Sequence, residues 1–303
     1  MSKKAFLFPG QGSQYVGMAQ DLFENSVEAK EMVRTADAVL GINLSYIMFN
    51  GPEEQLKQTE FTQPAIFLHS VILAGLIRTL HPDAAAGHSL GEYSALVCSG
   101  AVQFYDAVKL VRIRGKAMQV AGEENKGTMA AVIGLSPDIV EECCREASSE
   151  GICQCANFNS PGQVVISGSV EGVRKGMEVC KARRAKVKEL TVSGAFHSPL
   201  MESAKEKLNI ALDNTNIYDG RIPVYANVTA KQVMKKEEIK KFLVEQVTSP
   251  VKWETTIQNM INDGVEEFYE IGPGKVLQGL VRRINPEVKC LGIDKYSDVK
   301  DYI

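Results

Sequence analysis

Apolar residues run along this chain in two rhythms. Short unbroken runs closed by Gly or Pro read as buried strands: KAFLF (4–8), stopped by Pro9-Gly10, and VEEFYEI (265–271), stopped by Gly272-Pro273-Gly274. Longer segments carry helical spacing. GQGSQYVGMAQDLF (10–23) moves from a loop into a helical pattern, and PAIFLHSVILAGLIRTL (64–80) is apolar nearly all round, which predicts a buried helix. AAAG precedes a helix from about Leu90, and residues 101–120 predict an amphipathic helix carrying Arg112, Arg114 and Lys116. Towards the C-terminus, HSPLMESAKEKLNIALDNT (197–215) and VLQGLVRRI (276–284) predict helices. IPVYANVTA (222–230) predicts a strand before the charged stretch KQVMKKEEIK.

Between Glu123 and about Ser193 the rhythm changes. GTMAAVIGL (127–135) predicts a strand, and Ser136-Pro137-Asp138 starts a helix, with Ser136 as cap and Pro137 at the first helical position. ICQCANF and QVVISG predict two strands joined by a turn at 159–162, and Cys153 and Cys155 fall on one face of the first. Ser169 caps a helix over VEGVRKGMEVCKARRA, and KVKELTVSG predicts a closing strand. The order β-α-β-β-α-β is the ferredoxin-like arrangement. The expected organisation is α/β, with a large domain from 1–124 and 194–303 and a small ferredoxin-like subdomain at 125–193.

Bulk properties narrow the class. The 303 residues suffice for a sizeable core, and a formal charge of −3 (34 basic, 37 acidic residues) gives no global footprint for nucleic acid or membrane. Seven cysteines, an odd number without C-x-x-C, argue against a disulfide scaffold or a structural zinc site and fit a reducing cytosol. AIFLHSVILAGLI (65–77), broken by His69 and Ser70, is too short to span a bilayer, and Lys3-Lys4 precede too few apolar residues for a signal peptide. The expectation is a cytoplasmic protein.

The candidate chemistry centres on GHSLG (87–91). Two readings fit it: a nucleophile elbow, with Ser89 on a sharp strand-to-helix turn, and a tight turn with a capping serine. As a nucleophile Ser89 needs a base and oxyanion donors. The Leu90 N–H, directly after it, is the natural first donor, and Gln11 in the glycine-rich PGQGSQ loop (9–14) is a candidate for the second. That loop misses the dinucleotide fingerprint, because Tyr15 stands where a third glycine belongs. Of four histidines, His69 reads as core, His81 as loop, and His88 as pointing away at the elbow. His197 remains as the base by elimination. No acid stands out to orient it, which leaves a backbone or amide carbonyl for that role. Arg114 reads either as part of a solvated face, as Arg112 and Lys116 do, or as a buried clamp for a carboxylate.

Several spaced motifs resemble one family from end to end: FPGQGSQ (8–14), TQPA (62–65), GHSLGEY (87–93), V-x-x-R-G (111–115), NFNSPGQVVISG (157–168), GAFHSP (194–199), PVYANVTA (223–230), QVTSPVKW (246–253) and EIGPGKVLQGL (270–280). The chain resembles the malonyl-CoA:acyl carrier protein transacylases of type II fatty acid synthesis. The resemblance implies an α/β-hydrolase-like core with a ferredoxin-like subdomain. It implies transfer of malonyl from malonyl-CoA to acyl carrier protein through a malonyl-Ser89 intermediate. His197 then serves as base and acid, Gln11 and Leu90 as oxyanion hole, Arg114 as partner of the malonyl carboxylate, and Gln246 as the group positioning His197 through a carbonyl. GAFHSP and the leucine of GHSLG match the malonyl-selective members. No metal or bound organic cofactor is implied, CoA being substrate and leaving group, and such proteins are often monomeric. The carrier protein is usually acidic, which makes KARRAKVK (181–188) and the Arg112/Lys116 face candidate docking surfaces. Two competing readings are a serine esterase or thioesterase, and a carrier-protein binding module without catalysis.

Overall fold

The computed structural model describes residues 2–303 and contains two sheets. The larger has six strands: β1 (Lys3–Phe8), β2 (Ala84–Gly87), β7 (Val224–Tyr225), β8 (Gln232–Val233), β9 (Val265–Ile271) and β10 (Lys289–Ile293). Their order is β10-β9-β1-β2-β7-β8, parallel except for the β7–β8 hairpin. Nearly continuous apolar residues in β1 and β2 follow from burial on both faces of a parallel sheet. Helices cover it: α1 (Thr59–Leu76), α2 (Gly91–Cys98) and α3 (Phe104–Glu124) among them.

The smaller sheet holds β3 (Gly127–Ile133), β4 (Cys153–Ser160), β5 (Gln163–Ser169) and β6 (Lys186–Glu189), all antiparallel in the order β4-β5-β3-β6. Helices α4 (Pro137–Ala147) and α5 (Val170–Ala182) lie between them in sequence and share a core with the sheet. This is the ferredoxin-like order read from the sequence, beside an α/β-hydrolase-like core. Cys153 and Cys155 both point into the small core, and all seven cysteines are free thiols. Strand β4 is tied to the segment at Val251, outside both sheets: the Phe158 N–H donates to Val251 O (2.9 Å) and the Val251 N–H to Ala156 O (2.8 Å).

Several elements are shorter than expected: the helix predicted over 197–215 is α-helical only at Glu202–Asp213, the strand predicted from Lys186 ends at Glu189, and the helix from Val170 ends at Ala182. Two further elements differ more. Helix α1 begins five residues before Pro64 and ends at Leu76 rather than Leu80. Proline lacks the N–H that would reach Glu60 O, and Arg112 Nη1 donates to that carbonyl instead. After Leu76 the Arg78 and Thr79 N–H groups turn to Tyr302 O at 2.7 and 3.0 Å, which stops the helix. The predicted strand 222–230 pairs only at Val224–Tyr225, because the chain then turns at Ala226–Ala230 to bring Asn227 beneath the β2–α2 junction.

Candidate active site

The β2–α2 junction is a sharp turn that only glycine permits on both sides of Ser89. A Cβ on Gly87 would lie 1.9 Å from Gly91 C, and one on Gly91 would lie 2.0 Å from Phe8 O at the end of β1. Ser89 itself sits at φ 52°, a left-handed conformation that costs a non-glycine residue about 1–3 kcal/mol. Hydrogen bonds hold it there. The Ser89 N–H donates to Asn227 Oδ1 (2.7 Å), Asn227 Nδ2 donates to Gly87 O (2.7 Å), and Gln246 Nε2 donates to Ser89 O (3.0 Å).

His197 faces this serine. It too has a left-handed backbone, at φ 57°, and Gln154 Nε2 from β4 donates to its carbonyl at 2.8 Å. Its Nε2 lies 2.8 Å from Ser89 Oγ, and its Nδ1 lies 2.8 Å from Gln246 O and 3.1 Å from Ser249 O. Both Nδ1 partners are carbonyls, which only accept, so Nδ1 carries the proton and Nε2 is free to take one from the serine. The imidazole is 3% exposed. Burial first, and the nearby Arg114 cation second, push its pKa down to about 3. The ring is therefore a neutral base throughout the physiological range.

Arg114 on α3 is 1% exposed. Its Nη1 donates to Gln63 Oε1 (2.7 Å), and its Nη2 to Gln246 Oε1 (2.9 Å) and to Ser89 Oγ (3.1 Å). Its guanidinium stands 5.3 Å from the Tyr93 ring centre, and Nε has no partner. All of these direct partners are uncharged. Burial lowers the Arg114 pKa from its ordinary value, and such a site offers strong attraction to an arriving carboxylate. The solvated-face reading of this helix fails for Arg112 as well, which pairs with Glu60 Oε2 at 2.7 Å and stacks 4.7 Å from the Phe61 ring centre. Lys116 is exposed.

A cavity opens over Ser89, lined by Gln11, Leu90 and His197 on the polar side and by Met118, Met129, Leu190, Val192 and Phe196 on the apolar side. Among the described residues, neither the Gln11 N–H nor the Leu90 N–H meets a protein acceptor. Helix α2 begins at Gly91, directly after Leu90, so the positive end of its dipole faces this site, although the Gly91, Glu92 and Tyr93 N–H groups are themselves taken up by the His88, Ser89 and Leu90 carbonyls. His88 turns its Nε2 to Asn159 Oδ1 (2.9 Å), away from Ser89. His69 is fully buried, with Nε2 2.7 Å from Asp294 O. Among the described residues no group of three or more His, Cys, Asp or Glu side chains gathers in a metal-binding cluster.

The structure thus brings Ser89, His197, Leu90, Gln11, Arg114 and Gln246 together. Gln246 splits its contacts: its backbone carbonyl meets His197, while its side chain joins Arg114, Ser89 O and Glu92. Sequence reading missed Ser249 O, Gln63, Asn227 and Glu92. Of these only Glu92 carried a signal, as an acid inside the apolar start of α2. The 181–188 stretch is less free than its charge suggests, since Arg183 pairs with Glu142 (2.9 Å) and Glu146 (3.2 Å).

Comparison with known proteins adds to this geometry. A sequence model described as the acyl transferase domain matches residues 5–291, and the chain belongs to that family. It is 45% identical over 297 residues to the malonyl CoA-acyl carrier protein transacylase of Bacillus subtilis, covering 97% of this chain and 94% of that one. It is 44% identical over 304 residues to the protein of the same name from Staphylococcus aureus strain MW2, covering 100% and 99%. Among solved structures, an acyl carrier protein S-malonyltransferase from Vibrio cholerae superposes with TM-score 0.95 at 39% identity, covering 99% of both chains. A malonyl-transacylase in complex with its type II PKS acyl-carrier protein does so with the same score, identity and coverage. Among the described residues no helix is long and apolar enough to cross a membrane.

Proposed function

We propose that the chain is an [acyl-carrier-protein] S-malonyltransferase, which moves malonyl from malonyl-CoA to the phosphopantetheine thiol of an acyl carrier protein by way of malonyl-Ser89. One observation carries this most directly: the serine oxygen that lies 2.8 Å from a neutral imidazole nitrogen also lies 3.1 Å from a buried guanidinium with no carboxylate in contact. A malonyl group brings both a carbonyl for the first and a carboxylate for the second.

In the proposed cycle the malonyl carboxylate pairs with Arg114. His197 Nε2 takes the Ser89 proton as Oγ attacks the thioester carbonyl, and the Gln11 and Leu90 N–H groups receive the oxyanion. Imidazolium then returns its proton to the departing CoA sulfur. The carrier-protein thiol repeats the steps in reverse order. The substrate's carboxylate also offsets the Arg114 charge, one of the causes that hold His197 acidic. The enzyme works as a monomer in the cytoplasm.

Initial velocities at varied malonyl-CoA and carrier protein are expected to give parallel double-reciprocal lines. Intersecting lines would point to direct transfer without an acyl-enzyme. At saturating malonyl-CoA the rate of the acylation step is expected to stay nearly flat as pH falls from 8 to 5. A base is lost only as pH falls through its own pKa, and for His197 that lies near 3. A stopped-flow pH profile that loses activity with a midpoint near 6.5 would contradict this.

A further inference from the structure

Glu92 is a buried carboxylate, 2% exposed, whose contacts are all part of the site. Its Oε2 accepts from Gln246 Nε2 (2.8 Å) and from the Asn227 N–H (3.0 Å). The first contact fixes which end of the Gln246 amide faces Arg114, and the second anchors the residue whose side chain holds Ser89. Among the described residues Arg114 makes no salt bridge, and Glu92 reaches it through a single amide. The only other buried acid among the described residues, Glu270, is engaged by the Leu277 and Gln278 N–H groups.

Resting on the function proposed above, we infer that Glu92 is the resident counter-charge and positioning residue of Arg114. It aims and balances the guanidinium while the acyl site is empty, and takes up a proton from solvent when a substrate carboxylate pairs with Arg114. The physical reason is that two carboxylates held close to one buried cation do not both stay ionised. The remaining surroundings leave Glu92 to answer alone. From α3 it faces Arg114, and from its own helix Tyr93, whose pKa burial raises. The adjoining parts of β1 and β2 carry no charged residue, His69 on α1 is turned to Asp294, and Tyr225 on β7 donates to Asp263. His88 and His197 are held neutral by burial. Burial raises Glu92 itself to about 7, so its proton balance is responsive near neutrality.

The test is calorimetric titration of the Ser89→Ala enzyme with malonyl-CoA in two buffers of different ionisation enthalpy, with CoA as the baseline for the ligand's own groups. Uptake of about half a proton at pH 7 and about 0.9 at pH 8 is expected, with affinity falling about fivefold between them. In Ser89→Ala/Glu92→Gln the amide oxygen still accepts both N–H groups, but uptake and the pH dependence are expected to vanish. A role confined to packing predicts neither change. Absence of uptake in Ser89→Ala, or its persistence in the double variant, overturns the inference. Failure of Ser89→Ala to bind malonyl-CoA any better than CoA overturns instead the function on which it rests.

Discussion

His197→Ala is expected to slow malonylation of Ser89 by about 10²- to 10⁴-fold, the usual contribution of a positioned general base. Alanine removes the only acceptor among the described residues placed for the Ser89 proton, at 2.8 Å, and leaves the elbow's own hydrogen bonds to Asn227 and Gln246 in place. Affinity for malonyl-CoA is expected to change little, because Arg114 and the two free N–H groups remain. His197→Gln carries less rate than wild type for the same reason, since an amide does not take up a proton near neutrality. Single-turnover rates by rapid quench, with dissociation constants from titration, separate these effects. Loss of binding with an unchanged chemical step would mean that His197 holds substrate rather than moves a proton.

Arg114→Ala is expected to cost malonyl transfer about 2–5 kcal/mol, the range for removing one partner of a buried, hydrogen-bonded charge pair. That corresponds to a loss of roughly 30-fold to several thousandfold in kcat/KM. Acetyl transfer is expected to fall far less, because acetyl brings no carboxylate. An unpaired guanidinium facing acetyl is itself unfavourable in wild type, where burial already lowers its pKa. The malonyl-to-acetyl ratio of kcat/KM therefore collapses. Arg114→Lys is expected to restore little, since one ammonium does not reach Gln63, Gln246 and Ser89 together as the planar fork does. An unchanged ratio in Arg114→Ala would remove Arg114 from substrate selection.

Legibility in the sequence followed the range of the interactions. The βαββαβ order was readable because each element has a local period, a Ser cap or a Gly-Pro stop. Ser89 and Leu90 were readable because their roles come from adjacent residues in one turn. His197 emerged only by elimination among four histidines. The kind of partner, a carbonyl, was foreseen, but the residues' own pattern did not say which one, because Gln246 O and Ser249 O are backbone carbonyls, which every residue has. Gln246 came from family resemblance, and its side-chain work for Arg114 and Glu92 appeared only in the fold. Asn227 and Glu92 act across 135 residues of chain through a two-residue strand pairing, and no local pattern encodes that contact. The α1 boundary was misplaced because Pro64 looked like a start, whereas Arg112 from a distant helix compensates the carbonyl it leaves unpaired.

The most direct measurement is the intact mass of the protein after brief exposure to malonyl-CoA, with Ser89→Ala and acetyl-CoA run alongside. One malonyl adduct on wild type is expected, absent from Ser89→Ala and discharged by holo acyl carrier protein to give malonyl-carrier protein. Rapid release of free malonate without an adduct would make the chain a thioesterase. An adduct that persists in Ser89→Ala, or no reaction at all, would contradict the assignment of Ser89 as the residue that carries malonyl.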